Sequence, residues 1–176
     1  MVQTNLTELL DIVDANDQVT GVATRAEIHA RGLLHRSVHV LVFNSDRSVL
    51  LQKRSMQKDQ CAGMWDSSCA GHVESGQSYQ ETAPRELLEE LGFSPAESLK
   101  FLFKMQPSRD NGQEFAMVYA TEYEGPFTAA EDEIDELRWF SCAQVDEWIK
   151  NLSVNDTQDL TSGFIEIWNR FREANA

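Results

Sequence analysis

The stretch Gly71-His72-Val73-Glu74-Ser75-Gly76-Gln77-Ser78-Tyr79-Gln80-Glu81-Thr82-Ala83-Pro84-Arg85-Glu86-Leu87-Leu88-Glu89-Glu90-Leu91-Gly92-Phe93 decides how the rest of this chain is read. Its second half predicts a helix over 78–91. Ser78 followed by Glu81 has the spacing of a capping box, and Gly92 suits the left-handed position just past a helix end. Within that helix Glu86, Glu89 and Glu90 stand at i, i+3 and i+4 and share a face, whereas Leu87 and Leu91 share another that can anchor to a sheet. Three carboxylates on adjacent turns repel one another, and a divalent ion would turn that repulsion into affinity. Hard ions such as Mg²⁺ and Mn²⁺ favour oxygen ligands of this kind.

Working outward, the pattern alternates short apolar runs with turn clusters. Strands are expected at 9–13 and 19–24, forming an N-terminal hairpin around Asp14-Ala15-Asn16-Asp17. Further strands are expected at 37–43, 49–54, within 64–73 and ending at Gly71, and at 99–105, 115–121 and 136–140. Helices are expected at 26–32, 144–151 and 160–173. In the last of these, Phe164, Ile165, Trp168 and Phe171 recur at helical spacing and read as core. Several strands interleaved with a few helices give an α/β (α+β) sandwich with a mixed sheet. We read 1–176 as one domain, with 1–34 as an extension packed on the core.

Composition bounds the function. The chain has 176 residues, with 15 Lys and Arg against 29 Asp and Glu, a net charge of −14. Such a surface repels a nucleic acid duplex or an anionic membrane, but a bound cation can admit a small anionic substrate. Cys61, Cys69 and Cys142 have neither disulfide-framework nor zinc-site spacing. No signal peptide and no run of ~20 apolar residues is present, so a cytoplasmic location is expected.

The stretch 71–93 resembles the Nudix box, G-x5-E-x7-R-E-U-x-E-E-x-G-U with U apolar. Gly71, Arg85, Glu86, Leu87, Glu89, Glu90, Gly92 and Phe93 fall in register. Chance agreement at those positions is on the order of one in a hundred million per window. The resemblance implies a Nudix-like α/β/α sandwich. It implies a hydrolase that cuts a diphosphate linkage in a nucleoside diphosphate derivative, using Mg²⁺ or Mn²⁺ and more than one ion. Glu86, Glu89 and Glu90 would hold metal with the Gly71 carbonyl, and Arg85 would orient a carboxylate through a bidentate pair. Glu74, Glu114 and His72 are additional candidates.

Two positions depart from the pattern. Gln77 stands where the family has Glu, which removes a charge; restoring it is expected to tighten metal binding. Pro84 lies inside the helix, so either the helix kinks or its regular part begins near Thr82.

A wider likeness from Asp11 to about Phe140 is to the Nudix branch that includes type I isopentenyl diphosphate isomerases and hydrolases with the same N-terminal extension. That makes an isomerase the rival reading, with His29, His35 and His72 able to mimic part of that branch's metal site. Against it, the branch's catalytic cysteine position is Ala70 here, with Cys69 one residue earlier and hence on the opposite face of a strand. The branch's E-x-E acids fall on Gly112-Gln113-Glu114, which keeps only one. A non-catalytic binding module is a third reading. Trp65, Phe115 and Tyr119 can stack a base, although aromatic residues on strands usually serve the core.

Overall fold

A computed structural model describes residues 7–155 and 159–175. Leu9–Val13 (β1) and Val19–Thr24 (β2) form the antiparallel N-terminal hairpin, followed by helix α1, Arg25–Arg31. Then come β3 (His35–Phe43), β4 (Val49–Arg54), β5 (Trp65–Asp66), β6 (Cys69–His72), α2 (Tyr79–Leu91), β7 (Lys100–Met105), β8 (Glu114–Glu122), β9 (Ile134–Phe140), α3 (Cys142–Asn155) and α4 (Ser162–Ala174). The strand expected within 64–73 is two strands, because Ser67 and Ser68 turn inward between them. The Ser68 hydroxyl donates to the Leu50 carbonyl at 2.5 Å and accepts from the Val42 N–H at 2.7 Å.

Seven strands make one mixed sheet in the order β5-β4-β3-β8-β7, with β6 added to β3 and β9 to β4. The β3–β8 pair is parallel and runs from His35 opposite Glu114 to Phe43 opposite Glu122. The other edge of β3 is shared: β6 takes Ser37–Val40, and β4 meets it only at Phe43 opposite Val49. The sheet thus forks around β6.

Each face of the sheet has its own core, because residues alternate along the strands. Val38, Val40 and Val42 of β3 pack with Leu87 and Leu91 of α2 on one face. Leu41, Leu51, Met105 and Val118 pack with Phe164, Ile167 and Trp168 of α4 on the other. Full burial of Leu87 and Leu91 contributes about 2 kcal/mol each to holding α2 in place. The N-terminal hairpin is tied to this body by Leu10, fully buried and bridged to Glu74, and by Asp17. Asp17 accepts from Arg36 Nε at 2.6 Å and from the Tyr79 hydroxyl at 2.9 Å, and it also pairs with Lys104.

Helix α2 begins at Tyr79 with the expected capping box closed in both directions: Ser78 Oγ accepts from the Glu81 N–H, and Glu81 accepts from the Ser78 N–H. The helix continues through Pro84 to Leu91, so its regular part does not wait until Thr82. Gly92 closes it at φ 73°. A side chain there would also strike Thr128, because an added Cβ would lie 2.7 Å from the Thr128 Cβ.

Candidate active site

A cavity of about 1270 Å³ lies against β6, larger than the ~300–1,000 Å³ usual for a small-molecule cleft. One wall is acidic and comes from α2. Glu86 and Glu90 are buried and Glu89 stands at the rim, its side chain 56% exposed. The sequence places all three on one face; the packing of α2 sinks the i, i+4 pair and leaves the third in solvent.

Gly71 is what permits that pair to approach β6. A Cβ at this position would lie 2.1 Å from the Glu86 carboxyl carbon, a separation no non-bonded pair tolerates. Next door, the Ala70 N–H donates to Glu90 Oε2 at 3.3 Å, and the Gln52 amide donates to the same oxygen at 3.2 Å. Burial, first, and the neighbouring Glu90 push the Glu86 carboxyl well above the usual carboxylate range. Burial and Glu133 do the same to Glu90. Two acids so placed want positive charge between them.

Arg85 supplies part of it. Its terminal nitrogens reach Glu86 at 2.9 Å, Glu89 at 2.8 Å and Glu74 at 3.4 Å, and its Nε donates to Gln77 Oε1 at 3.3 Å. Arg85 therefore gathers three carboxylates through separate contacts, in place of the single bidentate pair that the resemblance implies. Gln77 Oε1 also accepts from the Thr82 hydroxyl at 3.2 Å.

The second cluster is a corner built from four elements. His29 of α1, His35 of β3, His72 of β6 and Glu114 of β8 present ligand atoms all within 4.8 Å of one another. His35 Nδ1 lies 2.9 Å from the Leu33 carbonyl, which can only accept. Nε2 lies 3.3 Å from Glu114 Oε1, near enough to share an ion with it. His72 Nε2 lies 3.3 Å from the same oxygen and 3.3 Å from His29 Nε2. Burial, first, and the neighbouring imidazoles lower His29 to about 4 and lower His72 as well, which keeps them neutral and able to ligate. Burial opposes ionisation of Glu114 most strongly, yet contacts from His35 and His72 hold it well below its usual range. A buried His35 Nε2 and His29 Nδ1 have no hydrogen-bond partner among the described residues.

Sequence reasoning reaches Glu114 and the three histidines only through resemblance, and it misses the rest of the lining. Arg25, Arg54, Lys58 and Arg109 bring positive charge to the cavity, and Glu8, Ser37, His39 and Asp66 also line it. The available signal is the alternation His35, Ser37, His39 in a strand otherwise made largely of apolar residues. Cys69 is fully buried on the α2 side, its thiol pushed up by burial and by Glu90, while Ala70 lines the cavity. Trp65, Phe115 and Tyr119 are buried in the two cores and do not line the cavity.

The mixed sheet lies between α2 on one face and α3 and α4 on the other, with the acid-bearing helix packed against a glycine. Residues 33–158 match the NUDIX domain family, and this chain belongs to it. Among curated proteins it is 34% identical to an isopentenyl-diphosphate Delta-isomerase of Serratia proteamaculans, covering 82% of this chain and 83% of that protein. It is 33% identical to the uncharacterized Nudix hydrolase YfcD of Escherichia coli K12, covering 79% of this chain and 77% of that protein. Among solved structures, DR0079 from Deinococcus radiodurans superposes with a TM-score of 0.81 at 24% identity, over 93% of this chain and 98% of that one. That likeness speaks for the fold. No helix among the described residues is long and apolar enough to cross a membrane.

Proposed function

We propose that this chain is a divalent-metal-dependent hydrolase that cuts a diphosphate linkage in a nucleoside diphosphate derivative or related nucleotide, working in the cytoplasm as one domain with residues 1–34 as its extension. The observation that supports this most is the burial of Glu86 and Glu90 side by side beneath Gly71, at the wall of a large cavity. Nothing in core packing rewards two sunken carboxylates there; a hard cation does. Glu86, Glu89, Glu90 and the Gly71 carbonyl would hold Mg²⁺ or Mn²⁺. The imidazoles of His29, His35 and His72, with Glu114, suit a second divalent ion of softer preference. Ions held there would supply positive charge for the diphosphate and lower the pKa of an attacking water. Arg85 holds Glu86 and Glu89 in place, and Arg54, Lys58 and Arg25 line the same cavity and would add positive charge for the phosphates.

A second reading, an isomerase acting on a prenyl diphosphate, draws on the histidine corner and on the named relative. It lacks the thiol where Ala70 stands and an acid where Gly112 stands. The test is one panel of nucleoside di- and triphosphates, nucleotide sugars, dinucleoside polyphosphates and prenyl diphosphates, assayed while Mg²⁺ or Mn²⁺ is titrated. Metal-dependent release of phosphate-bearing products from a nucleotide is the expected result. Double-bond migration in isopentenyl diphosphate without such release would replace the hydrolase reading by the isomerase. No turnover of any compound would leave a binding module.

A further inference from the structure

Beside the two clusters the cavity has a polar floor that neither of them uses. On β3, His35, Ser37 and His39 alternate onto one face of the sheet. Ser37 pairs with His72 of β6 and Ala116 of β8, and His39 pairs with Ala70 and Val118. Ser37 and His39 are buried, at 3% and 9% exposure, and both line the cavity. Their cavity-lining neighbours Ala70 and Ala116 are too short to cover them. The Ser37 hydroxyl has no hydrogen-bond partner among the described residues.

His39 is oriented from behind. Its Nδ1 lies 2.7 Å from Ser67 Oγ, which lies 3.2 Å from Asp66 Oδ1. The same Asp66 oxygen accepts the Ser67 N–H at 2.7 Å. A carboxylate only accepts, so the Ser67 hydroxyl donates to it and its oxygen accepts the Nδ1 proton of His39. The neutral ring then has its lone pair at Nε2, for which no described residue supplies a donor. His39 is also close to the acidic wall through the backbone: the residue opposite it, Ala70, is the one whose N–H bonds Glu90.

We propose that His39, set by Ser67 and Asp66 and flanked by Ser37, is the specificity-determining residue of this cavity. It accepts a hydrogen bond from an N–H or O–H group on the non-phosphate part of the substrate and so selects a base- or sugar-bearing diphosphate over a hydrocarbon one. A hydrocarbon tail on this floor takes water from Nε2 and from the Ser37 hydroxyl and returns no hydrogen bond, which costs roughly tenfold in affinity for each group. The proposal rests on the reading of the glutamate wall as the diphosphate site.

The test is calorimetric binding of four nucleoside diphosphates (ADP, CDP, GDP and UDP) and of isopentenyl diphosphate, with Ca²⁺ in place of Mg²⁺ to read affinity without turnover. The wild-type chain should bind at least one nucleotide about tenfold or more tighter than isopentenyl diphosphate. His39→Phe should remove that preference, weakening the favoured nucleotide and tightening isopentenyl diphosphate by up to about tenfold as the cost of desolvating Nε2 is lifted. His39→Gln, which keeps an acceptor, should retain part of the preference, and it serves if the Phe variant does not fold. Nitrogen-15 spectra should show one histidine, absent from both variants, protonated at Nδ1, whose Nε2 signal moves when nucleotide binds. Equal weakening of every ligand in His39→Phe, or an unchanged preference, overturns the proposal alone. Failure of the wild-type chain to bind any diphosphate overturns the underlying site reading, and the proposal with it.

Discussion

Glu86, Glu89 and Glu90 occupy successive turns of a single helix, whereas His29, His35, His72 and Glu114 come from α1, β3, β6 and β8. Glu86, Glu89, Glu90, His72 and Glu114 line one cavity, with His29 and His35 set behind it, and the two groups are built in opposite ways. The helix wall contains part of its own counter-charge: Arg85 meets Glu86 and Glu89. Arg25 lies near the corner but is engaged by Asp59 at 3.0 Å. The corner's ligand atoms instead crowd against one another at 3.3 Å. The helix wall is therefore neutralised in part by its own arginine, and the corner brings only ligand atoms.

Removing a helix carboxylate should have the largest effect. Glu90→Gln keeps the shape and the Gln52 contact while taking away a buried charge, and turnover at saturating Mg²⁺ should fall at least ~100-fold, from several kcal/mol of lost charge stabilisation. A thermal melt should show the fold retained, because a neutral amide is easier to bury than a carboxylate. Activity close to wild type would remove the helix wall from the chemistry and dissolve the comparison.

His72→Ala separates the two groups by metal content. Purified protein loaded with Mn²⁺ or Co²⁺ and desalted should lose one ion per chain relative to wild type, read by elemental analysis. Affinity at that site should fall at least roughly tenfold, the low end of what loss of even an outer-shell partner costs. Glu90→Gln should keep that ion. If both variants lose the same ions together, the two groups form one site.

These contrasts also mark what the residues alone can disclose. The i, i+3, i+4 glutamates, the Ser78–Glu81 box and the Gly92 stop all act within a few residues, and each is found in α2 as its spacing indicates. Gly71 shows its reason only in three dimensions, where a Cβ would collide with Glu86. The corner depends on registers that no local pattern encodes, namely the parallel β3–β8 pair that sets His35 across from Glu114 and the β3–β6 pair that sets Ser37 against His72. Resemblance names its histidines, but nothing in their spacing does. The orientation of His39 through Ser67 and Asp66 is less legible still, since it depends on two serines turning inward where the residue pattern predicts one continuous strand.

Cys69 sharpens the distinction between the faces of β6. It is fully buried against the α2 core, does not line the cavity, and its thiol meets Glu90 from behind. Cys69→Ala should leave diphosphate hydrolysis within about threefold of wild type and cost about 1 kcal/mol of stability for the small void it opens. Loss of activity in a variant that still folds, with prenyl diphosphates as the substrates, would return the thiol to the mechanism.

Gln77→Glu should have the smallest effect, and it tests how far the helix wall extends. From the residues alone, a restored carboxylate is expected to tighten metal binding. The geometry assigns Gln77 a different neighbour: its amide oxygen accepts from Arg85 Nε and from the Thr82 hydroxyl, holding the loop before α2 to the helix. A carboxylate oxygen can accept both of those bonds, so its added charge faces a guanidinium that already meets Glu74, Glu86 and Glu89. Partly exposed pairs of this kind are worth about 0.2–1 kcal/mol, which corresponds to roughly a fivefold change in an equilibrium constant at most. Because Arg85 absorbs the charge, the Mg²⁺ concentration for half-maximal turnover should stay within about threefold of wild type. A tenfold fall would mean that position 77 reaches the ion directly and that the acidic wall begins in the loop. A tenfold rise would mean that the introduced carboxylate draws Arg85 away from Glu86 and Glu89, and that the arginine's division among three carboxylates is what sets the affinity of the wall.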